Sequence, residues 1–281
     1  MQHKTLFVFD IETIPDTDAV YNLTGSEEKD VPKLREELEE YHLGVTKGNN
    51  AFPRQLFHRV VGISFVEAEI ERERVGNQTF ESYHLKDVRS GGTEESSEEE
   101  LVKGFFQYMA RNTPRLVSYN GRGFDLPVLK YRAMKHAISA PWLHQSGDKW
   151  NSYTSRYSPD WHCDLIEVLS DYGASARSKL NEVCSILGFP GKFGADGSKV
   201  SEMFDDGKVD EIRHYCETDV LNTYLVYLRQ QHHTGVLTKE GYNASISAII
   251  RFIETEGEKR PYLLEFMEAW NDACDGKFLM D

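Results

Sequence analysis

The stretch Thr5-Leu-Phe-Val-Phe-Asp-Ile-Glu-Thr13 is an apolar run that ends in two carboxylates, Asp10 and Glu12, separated by one residue. Leu6 to Phe9 reads as a buried strand of β-branched and aromatic residues. Side chains two apart on a strand share a face, so Asp10 and Glu12 point the same way. Two anions on one face repel, and raised pKa values, hydrogen bonds or a cation must relieve them. A divalent metal is the simplest relief. Taken alone, the pair is equally well a strand end running into a turn at Ile14-Pro15-Asp16, and the rest of the chain has to decide.

At 281 residues the chain can bury a substantial core, near the upper limit for one domain, so one elaborated domain is expected. With 40% hydrophobic and 28% charged residues, neither disorder nor a fibrous class is indicated. No apolar run approaches the roughly 20 residues that span a bilayer, and the N-terminus lacks a secretory pattern. A soluble, cytoplasmic protein with no membrane partner is the expectation. Cys163, Cys184, Cys216 and Cys274 form no C-x-x-C pair, which argues against a zinc site or disulfide framework. The formal charge of −14 argues against a broad basic face that grips nucleic acid, though not against an enzyme that meets a polyanion through metal ions and one local groove.

After the first strand, residues 26–50 read as an acidic insertion whose middle, Val31 to Tyr41, is a surface helix. His58 to Val66 reads as a second strand and Thr79 to Leu85 as a third, with Glu67 to Gly76 a charged hairpin between them. In Glu94-Glu-Ser-Ser-Glu-Glu-Glu100, Ser96 or Ser97 is a ready N-cap with acids in the first turn of a helix through Met109. A strand over Arg115 to Tyr119 leads through Asn120-Gly-Arg-Gly-Phe-Asp125 into a helix from about Pro127 to His136. A polar, aromatic loop over Gln145 to Asp160 follows. Asp164-Leu-Ile-Glu167 fits a capping box, which makes Asp164 an N-cap. Helices are expected over Lys179 to Leu187, Asp210 to Arg229, Lys239 to Glu256 and Tyr262 to Cys274. This pattern predicts an α/β fold, a mixed β-sheet flanked by helices, with residues 1–230 as the main domain and 231–281 as a helical C-terminal extension.

Two further segments bear on the opening pair. Glycines on either side of Arg122 allow an unusual backbone path, and Asp125 falls at the entrance to the next helix, where a plain N-cap is the competing reading. In Tyr215-Cys-Glu-Thr-Asp219, positions i and i+4 of a helix stack on one face, so the Tyr215 hydroxyl and the Asp219 carboxylate address one small volume. Together, Asp10, Glu12, Asp125 and Asp219 offer four oxygen donors without paired histidines or cysteines, a set that selects hard ions such as Mg2+ or Mn2+. Four carboxylates and a phenol are the components of two-metal phosphodiester hydrolysis.

The order D-x-E, then N-G-x-G-F-D, then Y-x-x-x-D resembles the DEDD superfamily of 3′–5′ exonucleases, which carry a ribonuclease H-like fold. Phe9 to Pro15, Tyr119 to Leu129 and Tyr215 to Asp219 look most like the predicted exonucleases related to the exonuclease domain of family B DNA polymerases. The resemblance implies that Asp10 bridges two divalent metal ions, that Glu12 and Asp219 complete one site, that Asp125 holds the other ion, and that Tyr215 orients the attacking water. His214 stands at the spacing used by a sister subgroup with a histidine base. In a helix already formed at Asp210, however, positions 214 and 219 lie about 140° apart and 215 and 219 about 40°. Tyrosine therefore fits better.

Thr13, Asn120, Arg122, Phe124, Trp150 and Arg156 are the residues expected to contact substrate, Arg122 by meeting a phosphate and the loop from Lys149-Trp150 to Arg156-Tyr157 by its interleaved basic and aromatic residues. Packing of a surface loop is the competing reading for Trp150, Tyr153 and Tyr157, and a solvated helix face for Lys130, Arg132 and Lys135. The expected activity is metal-dependent 3′–5′ hydrolysis of single-stranded DNA to nucleoside monophosphates. The alternatives are an RNA-trimming exoribonuclease, since recognition of a 2′-hydroxyl is not legible here, and a non-catalytic nucleic-acid-binding scaffold.

Overall fold

The computed structural model describes residues 3–191 and 199–281. Strands β1 (Thr5–Pro15), β2 (His58–Val75), β3 (Gln78–Ser90), β4 (Arg115–Ser118) and β5 (His162–Asp164) form one sheet in the order β3-β2-β1-β4-β5. β3, β2 and β1 pair antiparallel, whereas β1, β4 and β5 run parallel. Around the sheet lie α1 (Val20–Thr24), α2 (Val31–Val45), α3 (Glu98–Asn112), α4 (Asp125–Lys135), α5 (Pro141–Gln145), α6 (Leu165–Leu169), α7 (Leu180–Leu187), α8 (Val200–Asp205), α9 (Val209–His233), α10 (Lys239–Glu256) and α11 (Pro261–Ala273). This mixed five-stranded sheet with flanking helices is the ribonuclease H-like architecture expected from the sequence. No described helix is long and apolar enough to cross a membrane.

β1 is the centre of the sheet and is buried on both faces, which is why its first half reads as an unbroken apolar run. Its alternation divides the core in two. Leu6 and Val8 pack with α9, α10 and α11, while Phe7, Phe9 and Ile11 pack with α3 and α4. By the same period of two, Asp10 and Glu12 belong to the α9 face. α9 is buried nearly all round from Tyr215 to Leu228, because α10 and α11 cover the side turned away from the sheet. A helix so enclosed takes polar residues inward with it, and each needs partners. Asn222 exchanges hydrogen bonds with the backbone N–H and C=O of Gly191 at 3.1 and 2.8 Å.

Residues 26–50 contain α2, whose Leu38 joins Val20 and Phe57 in a small separate core, and Arg35 anchors the helix to Asp205 of α8 by a two-pronged ion pair at 2.5 and 2.8 Å. Ser97 caps α3 in a full capping box with Glu100, as the sequence suggests.

Three expectations are corrected. Glu67 to Gly76 is no hairpin loop: β2 continues through Val75 and turns only at Gly76, whose φ is +63°. Ala68 and Ile70 are buried while Glu69 and Glu71 face solvent, so the dense charge conceals a strand's alternation. Arg132 does not lie on a solvated helix face. It is buried and bridges Asp16 and Glu98, both buried too, and Glu98 also accepts a bond from the Val60 N–H at 2.7 Å. Asp164 stands at the N-cap position of α6, but its reach to the Ile166 N–H there is the lesser contact; its carboxylate turns back to the loop that follows β4.

Candidate active site

The site is built where β1 meets the first turns of α9. Cys216 donates its thiol to Asp10 Oδ2 across 3.8 Å, and one donor atom from each of Asp10, Glu12 and Cys216 lies within 4.8 Å of the other two. Burial, followed by the charges of Asp10 and Glu12, holds the Cys216 thiol well above its ordinary pKa. It is thus a protonated donor that cushions a carboxylate. Three residues before Asp219 on the same helix, its position was readable, but the sequence reading placed it among ordinary buried thiols.

Tyr215 and Asp219 meet one turn apart, as the i, i+4 geometry predicts. The phenol is hydrogen-bonded to Asp219, and burial together with the charges of Asp219, Glu12 and Asp10 drives its pKa far upward. The Tyr215 hydroxyl therefore stays protonated and faces three carboxylates at once. His214 goes elsewhere. Its ring stacks on Tyr262 of α11, with centroids 4.0 Å apart and planes at 17°.

Asp125 enters from the opposite side. It is the first residue of α4, not its cap, and its Oδ1 accepts the Ile11 N–H at 3.2 Å. Its carboxyl is also hydrogen-bonded to that of Asp10. Burial pushes its pKa up to about 7, helped by the charge of Asp164 and opposed by its bonds to backbone amides and to Asp10. Its backbone placement depends on the turn before it. Asn120 adopts φ +68°, and a side chain at Gly121 would come within 2.4 Å of Ser118 Oγ. Asp164 braces that turn by accepting the N–H groups of Asn120 at 2.7 Å and Arg122 at 2.8 Å. Sequence reasoning missed this brace because it joins residues 44 positions apart.

The remaining residues expected to touch substrate are distributed around this centre. Thr13 Oγ1 lies 2.9 Å from His58 Nδ1, and the His58 ring packs edge-on against Phe124 at 4.9 Å. Exposed Phe52 lies against the same two rings, and Gln55 donates to the Gly123 carbonyl at 3.0 Å, so the segment just before β2 supports the Asn120–Asp125 turn. Neither Phe52 nor His58 stood out in the sequence. Arg122 donates to the carbonyls of Tyr153 and His162, and Arg156 to Glu167 and the Tyr172 carbonyl. Trp150 is 71% exposed with the Lys149 ammonium 4.8 Å above its ring, whereas Tyr153 is a core residue bonded to the Pro114 carbonyl.

With this arrangement of acids and phenol in view, comparison with known families is decisive: residues 50–270 match the family described as predicted 3′–5′ exonucleases related to the exonuclease domain of PolB. The chain belongs to that family. The match includes the Asn120–Asp125 and Tyr215–Asp219 segments, while Asp10 and Glu12 precede it and are tied to the site by geometry. No curated protein matches the chain. The donor set suits a metal: ligand atoms of Asp10, Glu12 and Cys216 lie within 4.8 Å of one another, Asp125 is hydrogen-bonded to Asp10, and Asp219 is hydrogen-bonded to the Tyr215 hydroxyl, on which the charges of Asp10 and Glu12 also act.

Proposed function

We propose that the chain is a metal-dependent exonuclease that removes nucleoside monophosphates from the 3′ end of single-stranded DNA. The observation that carries this reading is the convergence of the Tyr215–Asp219 pair of α9 with Asp10 and Glu12 of β1, Asp125 being hydrogen-bonded to Asp10. Asp10, Glu12, Asp125 and Asp219 would hold two hard divalent ions, Mg2+ or Mn2+, which when bound supply activation of the attacking water and charge neutralisation at the leaving oxygen. Tyr215 fits the water-orienting role: its hydroxyl is held by Asp219, remains a donor at any physiological pH, and faces Asp10 and Glu12. The Asp164 brace and Gly121 keep Asp125 in register with Asp10, since a small displacement of a positioned catalytic group is costly in rate. Preference for DNA over RNA rests on the family's relation to the PolB exonuclease domain. Residues 1–230 are assigned as the catalytic unit, with 231–281 enclosing α9.

The test is incubation of 5′-labelled single-stranded DNA, duplex DNA and RNA with the chain in Mg2+ or Mn2+, beside an Asp10→Ala control. The expected result is a ladder of single-nucleotide steps from the 3′ end of single-stranded DNA that is absent from the control. Failure of the wild-type protein to cleave any of the three would overturn the proposal.

A further inference from the structure

Along the turn that leads into α4 lies an open pocket of about 420 Å³, lined in part by Leu126 and Lys130 of α4 and by Arg122, Arg156, Arg177 and Glu167. Four cations against one carboxylate invert the balance of a chain in which 46 acids outnumber 32 Lys and Arg residues. Three of the cations are pre-positioned. Arg156 and Arg177 grip the two oxygens of the buried Glu167, and Arg122 is held by the carbonyls of Tyr153 and His162. Lys130 is different. Among the described residues the charge that acts on its half-buried ammonium is the guanidinium of Arg122, so burial and like charge both lower its pKa. A cation in that setting is favourable only when an anion joins it.

The location limits what the anion is. Arg122 and Gly123 belong to the turn that ends at Asp125, Leu126 follows Asp125 on α4, and the charge of Asp164 acts on both Arg122 and Asp125, so the pocket and the carboxylate cluster share this turn. In an enzyme that removes the 3′-terminal nucleotide, the scissile phosphate is the last in the strand, and every other phosphate lies to its 5′ side. Planar guanidinium groups with a nearby ammonium suit phosphate oxygens.

We propose that the pocket bounded by Arg122, Lys130, Arg156 and Arg177 is a phosphodiester subsite that holds a backbone phosphate of the substrate strand on the 5′ side of the scissile bond. This rests on the exonuclease reading above. It gives an acidic protein a local electrostatic grip on the strand, and it makes affinity depend on strand length as well as on the terminal nucleotide.

The experiment measures equilibrium binding of a 5′-fluorescein-labelled oligothymidylate to the full chain in Ca2+ across a KCl series. Lys130→Gln, Lys130→Gln/Arg177→Gln and Lys130→Arg are compared with wild type. Each lost cation is expected to flatten the plot of log affinity against log salt by about 0.7. The double variant should bind about 10-fold more weakly, and Lys130→Arg should match wild type. Hydrolysis of the 4-nitrophenyl ester of thymidine 5′-monophosphate, which has no upstream phosphate, should be unchanged in all variants, while KM for the oligonucleotide rises about 10-fold. Salt slopes equal to wild type would overturn the subsite, as would an equal loss on the ester. Inorganic phosphate distinguishes a strand phosphate from a free anion: it should compete with the oligonucleotide, and a phosphate-induced thermal shift that depends on Lys130 without competition would overturn the proposal. Pocket-dependent binding without cleavage of any substrate would overturn the exonuclease reading, and with it the pocket's place beside a scissile bond, while leaving the pocket a backbone-phosphate site.

Discussion

At Tyr215 and His214, adjacent residues of α9 divide two chemistries between them. The first faces Asp10, Glu12 and Asp219, and the second stacks on Tyr262. Tyr215→Phe removes the hydroxyl proposed to orient water but no carboxylate, so turnover on single-stranded DNA is expected to fall about 100-fold with metal affinity retained. His214→Ala, assayed alongside, should stay within about 3-fold of wild type, because its stacking contact is worth on the order of 1 kcal/mol. The reverse ranking would replace water orientation by Tyr215 with a histidine base at His214. Asp164 provides a second test at this scale. Its carboxylate satisfies two N–H groups of the turn before Asp125, and Asp164→Ala leaves both without that acceptor. Activity should drop at least 10-fold, and titration calorimetry should show weaker Mn2+ binding, although residue 164 is not among the proposed ligands.

Among the elements, α9 must hold its register against β1 to within a fraction of a turn, and a chain of polar contacts behind the site secures it. Ser64, opposite Asp10 on β2, bonds to Ser90 of β3, which donates to Glu217 of α9 at 2.8 Å. Glu217 also receives the Tyr262 hydroxyl of α11 and pairs with Arg260 just before that helix. The C-terminal helices thus brace the helix that carries Tyr215 and Asp219. Glu217→Ala takes their acceptor from one buried donor, Ser90, and two half-buried ones, Arg260 and Tyr262, and is expected to cost about 2–3 kcal/mol in denaturant unfolding, against about 1 kcal/mol for Tyr262→Phe. Equal stability of Glu217→Ala and wild type would show that the contacts do not lock α9.

For the molecule as a whole, the buried ion pairs set the response to acid. Burial alone would raise the pKa values of Asp16 and Glu98, but bonds from Arg132 more than offset it, aided by Lys135 at Asp16 and by His136 at Glu98, and hold both below the ordinary carboxylate range. Arg115 similarly holds Glu81 down. A carboxylate whose folded pKa is depressed contributes stability that is present above its unfolded pKa and lost as pH falls through the folded one. These three groups therefore withdraw stability on acidification below about pH 4. Asp125, raised to about 7, acts in the opposite sense because protonation favours its buried state. Arg132→Met strands two buried carboxylates and is expected to destabilise by about 3–5 kcal/mol at pH 7. That deficit should shrink as the stranded acids become protonated on acidification. Thermal melts of both proteins from pH 7 to pH 4 check this, and a constant gap in Tm across that range would refute it.

Much of the site was legible because its rules are local. The period of two on β1 puts Asp10 and Glu12 on one face, the period of 3.6 on α9 pairs Tyr215 with Asp219, and the glycines at 121 and 123 mark a special turn before Asp125. The helix expected over Lys239 to Glu256 has those bounds in the structure, where Thr238 caps it and Gly257 follows it. The long ribbon of β2 and β3 was truncated in that reading because alternating charge resembles a loop when cross-strand partners are unknown.

The sequence by itself determined the family, the fold class and the order of the motifs, since strand and helix periodicities follow from backbone geometry within a few residues. Only the tertiary structure decided that Asp164, at a helix N-cap, braces the distant turn before Asp125, that Cys216 lies against Asp10, and that Arg132 is buried. It alone gathered Arg122, Lys130, Arg156 and Arg177 around one pocket. Those outcomes depend on contacts between distant segments, where packing and desolvation, not local propensity, select each side chain's partner.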